Sequence, residues 1–179
     1  MAEGRLFFAL WPQPEARKRV AALARQFNPQ GGRLHHPDDL HITLVFLGQV
    51  EDVRMPCIQQ VADAVEAPGF SLEMDTIGHW PRPRILWCGP SVVPEPLRNL
   101  VDSLQRGLLE CGFEPERRRY KPHITLHRKV RHAESGVIEP PIEWLAEEFV
   151  LATSGGNTPG APRYRILHRW PLKKPQKAE

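Results

Sequence analysis

The chain has 179 residues, of which 41% are hydrophobic and 25% are charged, and its formal net charge is +3. These values are typical of one globular domain with a hydrophobic core, so we predict a single domain over residues 1–179. No apolar run approaches the roughly 18 residues of a membrane helix, and residues 1–4 lack the basic and apolar regions of a signal peptide. We therefore expect a cytoplasmic protein without a membrane partner.

The three cysteines, Cys57, Cys88 and Cys111, are widely spaced and form no C-x-x-C motif. Closely spaced pairs are the usual sign of a metal site or a redox site. We expect three reduced thiols that behave as small apolar side chains, which agrees with a cytoplasmic location.

Hydrophobic periodicity and turn residues predict alternating strands and helices. In chain order these are a strand at 5–11, a helix at 14–27, a strand at 41–47, a helix at 55–65, strands at 70–77 and 84–88, a helix at 94–110, and strands at 123–130, 148–153 and 164–170. The predicted loops are residues 28–39, 78–83, 133–141 and 154–162.

The tetrapeptide His-Ile-Thr-Leu occurs twice, at residues 41–44 and 123–126. In a β-strand, side chains two residues apart point to the same face. Each copy therefore presents an imidazole and a hydroxyl on one face, and an isoleucine and a leucine on the other. If the two strands are neighbours, the apolar faces join a core and the two imidazoles face one another across a cleft.

Similar segments precede the two copies, which indicates an internal duplication. Arg5-Leu6 begins an apolar run 36 residues before His41, and Arg84-Ile85 begins another 39 residues before His123. The predicted fold is α+β and bilobal: duplicated antiparallel sheets are related by a pseudo-two-fold axis, helices cover the outside, and a cleft lies at the centre.

Paired histidines can divide acid and base catalysis near neutral pH, because one imidazole accepts a proton while the other donates one. The hydroxyls of Thr43 and Thr125 can donate hydrogen bonds to phosphoryl oxygens, where negative charge builds up during reaction. This set of groups suits attack of water on a cyclic phosphodiester, which requires no metal ion or other cofactor.

Basic residues surround the second copy of the motif and favour an anionic ligand, either phosphate or nucleic acid. They are Arg117, Arg118, Arg119, Lys121, Arg128, Lys129 and Arg131. Strict alternation from His123 points Arg128 away from the cleft, so it reaches a phosphate there only if the strand ends, twists or bulges. His127 shares the strand face of His123 by the same count, and either contacts substrate or is exposed.

Three segments of the chain resemble the 2H phosphoesterases, a superfamily named for two His-x-Thr motifs. The segments are residues 5–9, residues 40–48, and residues 122–126 followed by Arg128. The resemblance is strongest to the bacterial RNA 2′,3′-cyclic phosphodiesterases, formerly called 2′-5′ RNA ligases. It implies a bilobal fold and hydrolysis of the 2′,3′-cyclic phosphate ends of RNA or nucleotides to 2′-phosphates, with reversible 2′-5′ ligation as a further activity. It also implies that His41 is the proton donor and His123 the proton acceptor.

Four aromatic residues near the motifs are candidates for stacking on a nucleobase. They are Phe7, Phe8, Trp11 and Tyr120. The alternative for the phenylalanines is packing in the core.

Two other functions are compatible with the sequence. A metal-dependent phosphohydrolase could use His35, His36, Asp38, Asp39 and His41 as ligands, although Pro37 and the aspartates are also typical of a turn. The aspartates have no equivalent before His123, which argues for chemistry that needs no metal. A non-catalytic RNA-binding domain could use the basic residues and the aromatics, but binding alone does not require matched histidines. We expect a monomer.

Overall fold

The two His-Ile-Thr-Leu segments lie on neighbouring antiparallel strands at the centre of a large sheet. The structure is a computed structural model that describes residues 4–174. Its strands are β1 (Leu6–Leu10), β2 (Arg33–Leu34), β3 (Ile42–Gly48), β4 (Phe70–Trp80), β5 (Ile85–Gly89), β6 (Ile124–Arg128), β7 (Gly136–Ala146), β8 (Glu148–Ser154) and β9 (Tyr164–Pro171). Its α-helices are α1 (Pro14–Gln26), α2 (Met55–Asp63) and α3 (Glu95–Leu109).

The sheet consists of two lobes that meet between β3 and β6. The strand order is β7-β4-β5-β6-β3-β1-β8-β9, and the short strand β2 pairs with β6. Ile42 of β3 pairs with Ile124 of β6 where the lobes join. A pseudo-two-fold axis at this junction exchanges β3 with β6 and β1 with β5. The predicted bilobal α+β fold is therefore confirmed.

The lobes do not coincide with the two halves of the chain. Strand β4 follows the first motif in sequence but pairs with β5 in the lobe of the second motif. Strand β8 follows the second motif but pairs with β1 in the lobe of the first. This exchange of strands links the lobes and holds the two motif strands side by side.

The helices pack on the apolar face of the motif strands. Ile42, Leu44, Ile124 and Leu126 are at most 3% exposed and belong to one core with the buried stripes of α1 and α3. Burial of a side chain of this size contributes roughly 1.5–3 kcal/mol, so the alternation within each motif determines which face turns inward. The opposite face, with the histidines and threonines, is left for the cleft. Of the helices in residues 4–174, none has the length and apolarity to cross a membrane.

The predicted loop at 133–141 is wrong, because most of it belongs to strand β7. The two prolines of this segment, Pro140 and Pro141, concealed the strand because proline cannot donate a ladder hydrogen bond. Both lie at an irregularity in an edge strand, where Met74 of β4 pairs with Ile142 and Thr76 with Val137. An edge position and a bulge are the places where a strand tolerates proline.

Two further predicted boundaries differ from the structure. The predicted loop at 28–39 contains the short strand β2 and a 3₁₀ turn at Pro37–Asp39. The predicted turn at 78–83 is shorter than expected, because β4 continues through Gly78 to Trp80. The Trp87 ring leaves no room for a side chain at position 78, because a Cβ atom there would lie 2.2 Å from the Trp87 Cζ2 atom.

The prediction of three reduced thiols is also wrong. Cys57 of α2 and Cys111, which follows α3, form a disulfide with a Cα–Cα distance of 5.7 Å. The two residues are 54 positions apart, so only the packing of α2 on α3 brings them together. Cys88 is a buried free thiol, as expected, and its burial raises the pKa of the thiol to about 12.

Candidate active site

A single cleft contains both histidines and both threonines of the motifs. His41, Thr43, His123 and Thr125 line one cavity of about 520 Å³. The antiparallel pairing of Ile42 with Ile124 brings the four polar side chains to the same face of the sheet at the junction of the lobes. The period-two argument from the sequence therefore places these four residues correctly.

The two imidazoles are oriented by equivalent hydrogen bonds. The His41 Nδ1 atom lies 2.7 Å from the carbonyl oxygen of Asp39, and the His123 Nδ1 atom lies 2.9 Å from that of Lys121. A carbonyl oxygen only accepts, so Nδ1 carries a proton in both rings. The Nε2 atom is therefore the one that gains or loses a proton in each. In His41 this atom lies 3.2 Å from the Thr43 hydroxyl oxygen.

Both imidazoles are held in the neutral form in the free cleft. Burial is the main reason why the pKa of His41 falls from 6.5 to about 4, and the positive charges of Arg128 and, when it is protonated, of His123 lower the pKa further. Burial also lowers the pKa of His123, again with contributions from Arg128 and Lys121. The hydrogen bonds to the Asp39 and Lys121 carbonyls act in the opposite direction in each case.

Aromatic rings account for the burial of His41. The ring of Trp11 stacks on the imidazole at a centroid distance of 4.7 Å and an angle of 13°. Phe7 and Tyr164 approach at 5.0 Å and 5.1 Å. The Trp11 indole is itself fixed by a 2.9 Å hydrogen bond from Nε1 to the carbonyl oxygen of Asp38. This packing supports the imidazole, so the role of Trp11 visible in the structure is to position His41.

Two tryptophans play the corresponding part around His123. Trp80 meets the imidazole edge-on at 4.6 Å, and Trp87 lies 6.4 Å away. The ammonium group of Lys121 lies 4.6 Å from the centroid of the Trp87 ring, within the range of a cation–π interaction. The sequence offered no basis for placing these tryptophans, because β5 pairs with the motif strand β6, and β4 with β5, only in the folded chain.

Arg128 reaches the cleft because β6 contains a bulge. Trp87 pairs with Thr125 and Leu86 pairs with His127, so Leu126 is an additional residue on β6. The bulge reverses the alternation: His127 turns toward α1 and Arg128 lines the cleft. His127 is 5% exposed and its Nε2 atom donates to the Ala24 carbonyl at 2.8 Å. His127 therefore neither contacts the cleft nor is exposed.

An equivalent bulge in β3 brings Phe46, which the sequence did not predict as a site residue, into the cleft. Ala9 pairs with Thr43 and Phe8 with Val45, which makes Leu44 the additional residue. Phe46 follows His41 by five positions, as Arg128 follows His123. Phe46 lines the cavity and is 61% exposed. The pseudo-symmetric cleft thus carries a guanidinium on one side and an exposed aromatic ring on the other.

The other predicted stacking residues lie in different environments. Phe8 is fully buried on the helix side of β1, so it cannot contact a ligand in the cleft. Tyr120 packs against the core, and its hydroxyl donates to the Thr43 carbonyl oxygen at 3.0 Å. Phe7 lines the cavity but is only 4% exposed. Strand alternation separates Phe7 from Phe8, and applying it to β1 could have excluded Phe8 in advance.

Three of the five residues proposed as metal ligands, His35, His36 and Asp39, make other hydrogen bonds with their side chains. The His36 Nδ1 atom accepts from the Asp38 N–H, and the His35 Nε2 atom accepts from the Arg128 Nε–H at 2.9 Å. The Asp39 carboxylate is 2% exposed and accepts the backbone N–H groups of Arg163 and Tyr164 at 2.9–3.1 Å. Within residues 4–174, no group of three His, Cys, Asp or Glu side chains is arranged to hold a metal ion.

Asp39 therefore has a structural role that the sequence did not reveal. Its backbone carbonyl oxygen orients His41, while its carboxylate holds the chain at Arg163 and Tyr164, which line the cleft. One residue thus connects the imidazole to the segment at Arg163 and Tyr164.

The basic cluster is divided differently from its appearance in the sequence. Arg128 lines the cleft, whereas residues 117–119 are exposed and Arg118 pairs with Glu116.

The bilobal fold and the paired His-x-Thr strands confirm the resemblance to the 2H phosphoesterases. The chain belongs to the 2′-5′ RNA ligase superfamily, whose family model matches residues 12–158. It is 36% identical over 172 residues to the RNA 2′,3′-cyclic phosphodiesterase of Escherichia coli, and the aligned residues cover 94% of this chain and 96% of that protein. The protein of the same name from Bacillus subtilis is 31% identical over 147 residues, or 76% of this chain and 79% of that protein. The crystal structure of E. coli LigT complexed with 3′-AMP superimposes with a TM-score of 0.86 at 33% identity, covering 94% of this chain and 98% of that one.

Proposed function

We propose that this protein hydrolyses the 2′,3′-cyclic phosphate ends of RNA or nucleotides to 2′-phosphates. The observation that carries the proposal is the pair of imidazoles in one cleft, each fixed through Nδ1 so that Nε2 exchanges protons. The relatives named RNA 2′,3′-cyclic phosphodiesterase support the substrate class. The LigT structure with 3′-AMP supports a nucleoside phosphate as ligand.

In the proposed reaction, the His123 Nε2 atom takes a proton from a water molecule whose oxygen attacks phosphorus. The bond between phosphorus and the 3′ oxygen breaks in line with this attack. The His41 Nε2–H then donates its proton to the departing 3′ oxygen. The products are a 3′-hydroxyl and a 2′-phosphate, and the return of one proton from His123 to His41 restores the site. Acid and base groups placed in this way each typically contribute about 10²–10⁴ in rate.

Substrate binding supplies the proton that His41 needs. With a pKa of about 4 in the free cleft, His41 is neutral near pH 7. A bound phosphodiester carries a negative charge, and an opposite charge within a few ångströms raises the pKa of an imidazole. The substrate thus favours protonation of the imidazole beside it. Assigning the donor role to His41 rather than His123 follows the family resemblance.

We further propose that Thr43, Thr125 and Arg128 bind the phosphate. The two hydroxyls flank the imidazoles on the same face, and the Arg128 guanidinium faces the same cavity. Charge-assisted hydrogen bonds from such donors are stronger than neutral ones and gain further where water is excluded. Arg128 and the protonated histidine offset the charge of the pentacoordinate phosphorus, which is the part that a metal ion plays in other phosphohydrolases.

For the nucleobase, we propose stacking on Phe46. Its ring is exposed on the cleft wall, whereas Phe8 and Tyr120 are packed in the core and Phe7 is almost completely covered. Stacking of a base on an aromatic side chain is worth about 1–3 kcal/mol and tolerates any base. This arrangement predicts weak base preference.

Several properties stay predictions. These are the single domain over residues 1–179, the monomeric state, the cytoplasmic location and the capacity for 2′-5′ ligation, in which a 5′-hydroxyl replaces water as the nucleophile. The cysteines no longer support the cytoplasm, because structural disulfides are rare there and Cys57 is bonded to Cys111.

The proposed function is tested by comparing hydrolysis of adenosine 2′,3′-cyclic phosphate with that of adenosine 3′,5′-cyclic phosphate. We expect turnover of the first substrate, little or none of the second, and full activity after exhaustive treatment with EDTA. The absence of turnover with both substrates would refute the proposal. Loss of activity in EDTA with rescue by Mg²⁺, Mn²⁺ or Zn²⁺ would instead favour a metal-dependent phosphohydrolase.

A further inference from the structure

We propose that a cavity beside the catalytic cleft binds the internucleotide phosphate that precedes the cyclic end of an RNA substrate. We call this cavity the flanking cavity; it is lined by Arg33, His35, Arg128, Asn157, Thr158 and Arg163, among others, and has a volume of about 530 Å³. The inference rests on the proposed function and extends it from nucleotides to an RNA chain.

The flanking cavity adjoins the catalytic cleft. Arg128, Gly156, Asn157 and Arg163 line both cavities. A chain whose terminal phosphate lies between the two histidines can therefore continue past Arg128 into the second space. The internucleotide phosphate is one nucleoside away from the cyclic phosphate, so it is the next negative charge that the protein meets.

The charges in the flanking cavity are unbalanced. Arg33 of β2 is directly opposite Arg128 of β6 in the antiparallel ladder. Like charges in directly opposite positions are destabilising, so this pair is a cost unless an anion lies between them. Among residues 4–174, no carboxylate forms an ion pair with Arg33, Arg128 or Arg163. The Asp39 carboxylate lines the cavity but accepts two backbone N–H groups.

His35 fixes the guanidinium at the junction between the two spaces. Its Nε2 atom accepts from the Arg128 Nε–H at 2.9 Å. Burial, together with the positive charge of Arg128, lowers the pKa of His35 to about 3, so the ring stays neutral and remains an acceptor. The terminal amino groups of Arg128 are then available to phosphate groups on either side.

The test compares two substrates that end in the same group. They are adenosine 2′,3′-cyclic phosphate and the dinucleotide ApA with a 2′,3′-cyclic phosphate end. We expect kcat/KM of the wild type to be roughly 3- to 10-fold higher for the dinucleotide, the value of one well-placed charged contact. In Arg33→Ala this ratio should fall close to one. The control is Arg19→Ala, which removes an exposed arginine of α1 that lines neither cavity and should keep the wild-type ratio.

A dinucleotide with an uncharged methylphosphonate linkage separates the phosphate from the extra base. We expect it to lose the advantage over the mononucleotide in the wild type. Equal kcat/KM for both natural substrates, an unchanged ratio in Arg33→Ala, or a full advantage with the methylphosphonate would each overturn the inference.

Oligonucleotide affinity tests the phosphate site independently of hydrolysis. If neither substrate is hydrolysed, the affinity for a fluorescently labelled oligonucleotide with a 3′-phosphate is measured by anisotropy. Arg33→Ala should then bind more weakly than Arg19→Ala, and its plot of log K against log salt should be shallower by about 0.7. Equal affinities and slopes would overturn the inference.

Discussion

Asp39 connects the first His-Ile-Thr-Leu motif to Arg163 and Tyr164, at the end of the loop that follows β8 and lines the cleft, and its replacement by alanine should weaken both stability and catalysis. The carboxylate is 2% exposed and accepts the backbone N–H of Arg163 at 2.9 and 3.1 Å and that of Tyr164 at 3.1 Å. Alanine leaves both donors without this partner. Its backbone carbonyl can still accept from the His41 Nδ1–H.

The size of the effect follows from these contacts. A hydrogen bond to a charged group contributes about 1.5–3 kcal/mol, so the two N–H groups bound to Asp39 together contribute at most about 6 kcal/mol to the free energy of unfolding. Water can reach part of the exposed loop and replace some of this, so we expect Asp39→Ala to lower the free energy of unfolding by about 3 kcal/mol. Tyr164 directly follows this loop as the first residue of β9, and its ring lies 5.1 Å from that of His41. Its displacement should lower kcat/KM roughly 10-fold.

The measurements are urea unfolding and steady-state hydrolysis of adenosine 2′,3′-cyclic phosphate. Asp39→Asn should give an intermediate loss, because the amide keeps one acceptor oxygen. Asp38→Ala is the matched control: its carboxylate is half exposed and lies 3.8 Å from Arg17, so the loss should be at most about 1 kcal/mol. If Asp39→Ala were as stable and active as the wild type, or no worse than Asp38→Ala, the role assigned to Asp39 would be wrong.

Three further predictions concern the cleft. His41→Ala and His123→Ala should each lower kcat roughly 10²–10⁴-fold, and the double variant should lose much less than the product, because both groups act in one transition state; additive losses would contradict this. Phe46→Ala should raise KM roughly 5- to 100-fold with little change in kcat, whereas the exposed control Val92→Ala should change neither. The maximum of kcat/KM against pH should lie below pH 6.5, because burial lowers the pKa of both imidazoles in the free protein. The maximum of kcat should lie at higher pH, because bound phosphate raises the pKa of both imidazoles. Coincident maxima would contradict these shifts.

The arrangement of the two motifs was predictable because it depends on a local property. A strand repeats every two residues, so the order His-Ile-Thr-Leu determines that His41 and Thr43 share the face opposite Ile42. The duplicated motif then indicated that two such strands meet. The pairing of Ile42 with Ile124 is the long-range contact that this reasoning required.

The features that the sequence did not predict depend on contacts between distant segments. The bulges at Leu44 and Leu126 arise from the register with β1 and β5, and they determine that Phe46 and Arg128 enter the cleft. Phe46 occupies the position in β3 that Arg128 occupies in β6. The sequence could therefore have predicted that a bulge in β3 would turn Phe46 into the cleft, as a bulge in β6 turns Arg128. The bond between Cys57 and Cys111 has no local signal of this kind, since it requires α2 to pack on α3.

The most direct test of the two-histidine mechanism is the identity of the product formed from adenosine 2′,3′-cyclic phosphate. Phosphorus NMR distinguishes the 2′-phosphate from the 3′-phosphate in the reaction mixture. In the proposed mechanism the 3′ oxygen leaves with the proton of the His41 Nε2–H, so adenosine 2′-phosphate should be the single product. Adenosine 3′-phosphate, a mixture of the two, or no turnover by the folded protein would contradict the account.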